Sequence, residues 1–138
     1  MEQYFAPHLD KQALQGMTAL GLAHMGDCVF ELLVRTWLCT HGGSKVKDLH
    51  RATVAHVAAP AQAARMDRML PLLTEEEAAI YRRGRNAHVH GVPKGATPQQ
   101  YAKATGLECL FGALYLLGRW NRVNELFCLT MEEEAHAL

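Results

Sequence analysis

The stretch Leu20-Gly-Leu-Ala-His-Met-Gly-Asp-Cys-Val-Phe-Glu-Leu-Leu33 leaves this chain little choice of fold. It reads as a helix that is apolar on most sides, and such a helix belongs inside a molecule with other helices packed around it. Yet it carries two carboxylates, Asp27 and Glu31, spaced i, i+4 and so stacked on one face. A carboxylate on an apolar helix is costly unless it is paired, hydrogen-bonded or bound to a metal. A second apolar segment, Leu107-Glu-Cys-Leu-Phe-Gly-Ala-Leu-Tyr-Leu116, makes the same exception with Glu108 as its only charge. Two apolar helices that each carry an isolated acid suggest one site in which they face each other.

The remaining pattern is helical throughout. The first long helix is expected from about Thr18, a plausible N-cap, to Cys39, ended by His41-Gly42-Gly43. Gly21, Ala23 and Gly26 are small enough to let another backbone approach it. Ser44 is expected to cap a second helix over about Lys45 to His56. Pro60 suits the first turn of a third helix that reaches about Leu70. Thr74 and Glu77 form a capping-box pattern that opens a fourth helix to about Gly84. Arg85 to Ala96, with Gly91, Pro93 and Gly95, reads as a loop. Thr97-Pro-Gln-Gln100 is a further start signal, for a helix to about Leu117 with Gly118 as its stop. A last helix covers about Trp120 to Ala135. Residues 1–16 are expected to form an N-terminal arm with at most one helical turn, because Ala6-Pro7 disfavours regular helix. With no credible strand, repeat or linker, the expectation is a single all-α domain over 1–138.

Hydrophobic residues make up 49% of the 138, which excludes a disordered chain and allows a sizeable core. Formal net charge is zero, so any nucleic-acid binding must come from a local basic patch. Cys28, Cys39, Cys109 and Cys128 lack C-x-x-C spacing and sit in apolar helical patterns; they read as buried, reduced thiols. No secretory leader pattern is present, and no apolar run approaches the roughly 20 residues that a bilayer needs. The expectation is a soluble, cytoplasmic protein with no membrane partner.

Two or three carboxylates converging in a partly apolar cleft, without a Cys or His ligand set, suit a hard divalent cation such as Mg²⁺. Such an ion can activate a water against a phosphodiester and neutralise charge at phosphorus. The competing structural reading pairs Glu31 with Arg35, again i, i+4, and Asp27 with a distant Arg or a backbone N–H. Spacing alone does not choose between them.

His24-Met-Gly-Asp-Cys-Val-Phe-Glu-Leu32 resembles the signature of the ribonuclease III catalytic domain, leucine-Gly-Asp-Ala-x-x-Glu, and Thr105-Gly-Leu-Glu-Cys-Leu-Phe-Gly-Ala-Leu-Tyr115 resembles that family's second acidic helix. The closer match is the family's short subgroup, Mini-ribonuclease III. It is supported by Leu20-Gly-Leu-Ala, Asp48-Leu-His, the Ala58 to Ala63 stretch, Arg82-Arg-Gly-Arg-Asn-Ala87, Val92-Pro-Lys94 and Gln100-Tyr101, in that order and covering nearly the whole chain. The resemblance implies the ribonuclease III helical fold, a homodimer, and a Mg²⁺-dependent site in each protomer. It implies hydrolysis of both strands of double-stranded RNA to 5′-phosphate and 3′-hydroxyl ends, without a separate double-stranded-RNA-binding domain. It also implies a place in ribosomal RNA maturation, on the 23S rRNA precursor.

Carried over residue by residue, the resemblance makes Asp27 and Glu108 catalytic metal ligands and matches Glu31 to the signature's trailing glutamate, as ligand or support. Full-length relatives carry further acids where this chain has Ala23 and Thr105, and the short subgroup shares this thinning. The implied site is therefore sparse, with more of the metal's shell left to water and RNA phosphate. Arg82, Arg83 and Arg85, with Asn86 and Lys94 close by, form the densest positive cluster and are the candidate RNA-binding residues, positioned for phosphates along an RNA minor groove. The bland alternative is a solvated helix C-terminus, where arginine is favoured by the macrodipole. Asn86 could bond a phosphate or cap the helix. His88-Val-His90 is a poor zinc pattern, and His24 reads as a helix-surface residue beside the acid motif. Two other functions fit less of the pattern. One is a catalytically inactive RNA- or ribosome-binding module, motivated by Ala23 and Thr105. The other is an all-α metal-dependent phosphohydrolase acting on nucleotides, which calls for denser acidic motifs.

Overall fold

The architecture is that of a computed structural model, which describes residues 1–42, 45–87 and 91–137, with side chains of the last helix described to residue 131. Among these residues there are seven α-helices, one 3-10 turn and no strand: α1 (Lys11–Gln15), α2 (Ala19–Thr40), α3 (Val46–Val57), α4 (Ala59–Met69), the turn Leu70–Leu72, α5 (Glu75–Arg85), α6 (Pro98–Leu116) and α7 (Trp120–Ala137). The all-α expectation holds, and the single turn expected in the arm is α1, capped by the Asp10 carboxylate on the Ala13 N–H at 2.7 Å.

Helix starts follow the local chemistry. The Thr18 hydroxyl accepts from the Gly21 N–H at 2.9 Å and opens α2. Both capping boxes form: Thr74 with Glu77 at the head of α5, and Thr97 with Gln100 at the head of α6. α3 differs. Its cap position is Lys45, which makes no side-chain cap bond, while Ser44 lies outside the described residues. Gly118, at φ +79, ends α6 as expected.

Helix α6 is the hub, with α2, α5 and α4 packed around it. From Ala104 to Leu114 every α6 residue is buried except Glu108. α2 crosses α6 at two glycines. A Cβ on Gly26 would fall 1.6 Å from the Glu108 carbonyl oxygen, and one on Gly112 would fall 2.0 Å from the Leu22 carbonyl oxygen. The backbones therefore touch, and this contact sets the position of Asp27, the next residue after Gly26. On the other side of α6, Gly84 of α5 lies against Cys109 and Thr105, and Gly106 against the buried Tyr81 ring.

The main core runs from Phe30 through Phe111 to Phe127, with ring centroids 5.8 and 6.1 Å from Phe30 in edge-on packing. Leu107, Leu110, Leu114 and Leu126 are fully enclosed around it, each contributing about 2 kcal/mol by removal from water. The Arg65 side chain is also fully enclosed. Its guanidinium lies over the Phe30 and Phe127 rings and donates to the Thr130 hydroxyl at 3.1 Å. One expectation fails here. Cys28 and Cys39 are exposed and Cys128 is half-buried; only Cys109 is buried, though none is paired. Reading α2 as central from its wide apolar surface overestimated its cover, because among the described residues one flank of it has no partner helix.

Candidate active site

Asp27 and Glu108 reach the site from different helices but from the same contact. Gly26 presses on the Glu108 carbonyl, so the two carboxylates are delivered to one side of the α2–α6 crossing. There they line a pocket of about 170 Å³ with Leu20, Ala23, His24, Tyr101 and Thr105. Ala23 and Thr105 thus occupy the wall where further acids would stand. The Thr105 hydroxyl is turned back onto the Tyr101 carbonyl at 2.9 Å, within its own helix.

The electrostatics of the pair are unfavourable without a cation. Burial of Glu108 pushes its carboxyl up to about 8, helped by the neighbouring Asp27 charge and by a hydrogen bond between the two acids. A positive ion between them would relieve both causes, since it replaces lost hydration and neutralises the like charges. Two hard carboxylate oxygen donors, with no thiolate and no coordinating imidazole pair, fit Mg²⁺ rather than a softer metal. Among the described residues no group of three or more His, Cys, Asp or Glu is placed to hold a metal.

The other candidates divide. Glu31 does not line this pocket. Its carboxylate pairs with Arg35 at 3.1 Å, the i, i+4 partnership that the competing reading named. The C-terminal end of α5 lies beside the α6 segment that carries Glu108, because Gly84 packs on Thr105 and Cys109. Arg82 is exposed there. Arg83 donates to the Met17 carbonyl and so ties α5 to the start of α2. Arg85 lies over the Tyr81 ring, 5.6 Å from its centroid, and its Nε donates to the Asn86 side chain at 3.3 Å. Asn86 is the C-cap residue of α5. The pair His88 and His90 lies outside the described residues.

Lys94 is placed more tellingly. With Pro93, Gly95 and Ala96 it forms one wall of a cleft of about 470 Å³, whose other residues are Val57, Ala58, Ala59, Pro60, Gln62, Tyr101, Ala104 and Glu108. The cleft and the acid pocket share Tyr101 and Glu108. Tyr101 and Gln62 are not evident as site residues from the sequence. Tyr101 has one signal, its position seven residues and about two helical turns before Glu108 on the same face. Gln62 has none beyond being the one polar residue in the run from Ala58 to Ala64.

Known proteins resemble this chain over most of its length. Residues 20–119, a span holding both acids, match the family model of the ribonuclease III domain. The chain is 48% identical over 107 residues to the Mini-ribonuclease 3 of Symbiobacterium thermophilum, covering 78% of this chain and 82% of that protein. It is 40% identical over 124 residues to the Mini-ribonuclease 3 of a Thermoanaerobacter species, covering 90% and 87%. It is 36% identical over 133 residues to that of Clostridium tetani, covering 95% and 88%. A crystal structure of a Fusobacterium nucleatum protein superposes with a TM-score of 0.80 at 27% identity, covering 88% of this chain and 97% of that one.

Proposed function

The chain belongs to the ribonuclease III family, within its Mini-ribonuclease 3 group, and from that footing we propose that it is a Mg²⁺-dependent endoribonuclease that hydrolyses double-stranded RNA. The carrying observation is the convergence of Asp27 and Glu108 in one pocket, with Glu108 raised to about 8. Nothing in the packing calls for two like charges there, and a pure binding surface for phosphates has no use for them.

Asp27 and Glu108 would hold the ion, which when bound supplies an acidified water and charge neutralisation at phosphorus. The chain's own groups do the rest. The Gly26–Glu108 backbone contact fixes the separation of the two carboxylates. Lys94, which lines the cleft that Glu108 also lines, and Arg82, exposed on α5, would supply positive charge. Arg83, bonded to the Met17 carbonyl, and Arg85, over the Tyr81 ring, would add charge at the end of α5 while keeping it seated. The expected products are a 5′-phosphate and a 3′-hydroxyl. The proposed natural substrate is a double-stranded region of the 23S rRNA precursor, cut by a homodimer.

The test is Asp27→Asn. Cleavage of duplex RNA should fall on the order of a thousandfold or more, with helical content and oligomeric state unchanged. A variant that cuts at the wild-type rate would sink the metal assignment. The second reading, an inactive RNA- or ribosome-binding module, draws on the absence of a third acid among the described residues at the site. It is separated by incubating the wild-type protein with duplex RNA in Mg²⁺ or in EDTA. Binding without cleavage in either condition would favour it.

A further inference from the structure

The cleft beside the acid pocket contains a polar group that the fold leaves without a partner. Gln62 is 2% exposed, and its side-chain Nε2 is buried with no hydrogen-bond acceptor. Burying an amide N–H without an acceptor costs stability, so such groups are rare unless something outside the chain completes them. Gln62 lies in the first turns of α4, a helix whose cap residue, Ala58, offers no side-chain cap bond. Pro60 brings no N–H of its own, and the N–H groups of Ala59 and Ala61 precede the helical ladder. The α4 end of the cleft, lined by Ala58, Ala59, Pro60 and Gln62, therefore combines the Ala59 N–H outside the helical ladder, a partial positive charge from the helix end and an orphan amide donor buried just behind it. Lys94 stands on the other side of the cleft, and Glu108 closes it toward the acids. Every one of these features except Glu108 favours an anion.

We propose that this cleft is a phosphate subsite, in which Gln62, the α4 N-terminus and Lys94 hold a backbone phosphate of the RNA strand adjoining the one cut at Asp27 and Glu108. The inference rests on the double-stranded RNA reading. Gln62 is then a substrate-binding residue. Its amide donates to a non-bridging oxygen, and the stability lost to an unmade hydrogen bond in the free protein is recovered when RNA binds. The volume, about 470 Å³, accommodates a phosphate with its flanking riboses. A phosphate seated there fixes the strand on the Glu108 side, complementing the charge contributed by α5.

Gln62→Met tests this, because it keeps the length of the side chain and removes the donor. Wild-type protein and variant are compared on a long RNA duplex of mixed sequence. The expected result is a KM raised about tenfold with kcat within about twofold of wild type. The thermal midpoint should be equal or higher, because the orphan amide is gone. A structural role would lower the midpoint instead. Lys94→Ala should reduce the salt dependence of binding by about one phosphate's worth, while Gln62→Met, a neutral change, should leave that slope alone. Duplexes with one uncharged methylphosphonate linkage, walked along the strand near the cut, identify the partner. At one linkage wild type should lose more affinity than Gln62→Met, so that the difference between the two proteins disappears there. An unchanged KM, or a lowered midpoint with activity lost in proportion, overturns the subsite while leaving the ribonuclease reading intact. Failure of any linkage to remove the difference between wild type and variant also overturns it, and assigns the amide to a sugar hydroxyl or base. A wild-type protein that neither binds nor cuts the duplex overturns the reading itself, and the subsite with it.

Discussion

Glu108 is the one residue between Ala104 and Leu114 that the core does not enclose, and its carboxyl is held up to about 8 by burial first and by Asp27 second. In the unfolded chain the same group titrates near its ordinary value of 4.5. Between those two values the folded protein binds more protons than the unfolded one, so the sign is fixed. The stabilising contribution of protonated Glu108 is full below about 4.5 and is lost as pH rises through about 8. The metal-free protein should show a thermal midpoint that falls across this window, and Glu108→Gln should flatten the fall and be the more stable of the two at its upper end. Parallel curves for the two proteins would remove Glu108 as the cause. Mg²⁺ competes with that proton, so its apparent affinity should climb with pH over the same range, read by thermal shift. Asp27 and Glu108 were legible in the sequence because a single acid on an otherwise apolar helix stands out against its neighbours. Glu31 was ambiguous because its spacing to Arg35 satisfies a salt bridge and its spacing to Asp27 a metal site, and only the packed structure shows the first. Gln62 could not be read, since its burial and its missing partner arise only in the packed fold.

At the level of elements, local chemistry was readable and long-range contact was not. The capping boxes at Thr74 and Thr97 involve residues three apart, so four letters suffice to place a helix start. Glu77 shows the limit. The sequence marks it as the capping-box glutamate, but the structure also buries it and gives it a two-pronged bond to Arg122, at 2.8 and 2.9 Å, which ties the start of α5 to α7. That pairing holds the Glu77 carboxyl below the usual range, so its stabilisation is present above about 4.5 and is lost as pH falls through the lowered value. Arg122→Ala should cost about 3 kcal/mol, because it leaves a buried carboxylate uncompensated. Urea unfolding at neutral pH measures the loss, and a change within error of zero would make the pair incidental. The α2–α6 crossing supplies a sharper test of the site. A methyl group on Gly26 meets the Glu108 carbonyl at 1.6 Å, which is backbone against backbone and cannot be relieved by a rotamer change. Gly26→Ala should destabilise by about 3 kcal/mol or more. Because it drives apart the two helices that carry the acids, it should also abolish cleavage under conditions where the protein remains folded by circular dichroism. Full activity in a folded Gly26→Ala protein would show that the separation of the carboxylates is not set at this crossing.

Among the described residues, one flank of α2 is left uncovered. Met25, Cys28, Val29, Leu32 and Leu33 of α2, with Phe5, Tyr115, Trp120 and Val123, line an apolar groove of about 410 Å³. Leu32 is 56% exposed within it. At about 100° per residue, Leu32 stands roughly 140° around α2 from Asp27, so the helix turns its acids to one side and this groove to another. An apolar face of this kind, continuous along a helix and edged by the N-terminal arm, is what a second copy of the chain would cover. The arm is seated for that role: the Tyr115 hydroxyl donates to the Phe5 carbonyl at 2.8 Å, and the Leu9 N–H donates to the Leu116 carbonyl at 2.8 Å. Pairing through the α2 flank would explain why Cys28, read from sequence as buried, is exposed in the single chain. It would also place one acid pair on each half of a two-fold assembly, as cutting both strands of a duplex requires. Leu32→Glu tests this at the scale where it applies. Sedimentation should report a dimer for wild type and a monomer for Leu32→Glu, while circular dichroism stays unchanged, because the substituted residue is exposed in the protomer. Paired cuts on a long RNA duplex should disappear with the dimer. A Leu32→Glu protein that remains dimeric would move the subunit contact to another face, and one that is monomeric yet still makes paired cuts would remove the need for two acid pairs in one assembly.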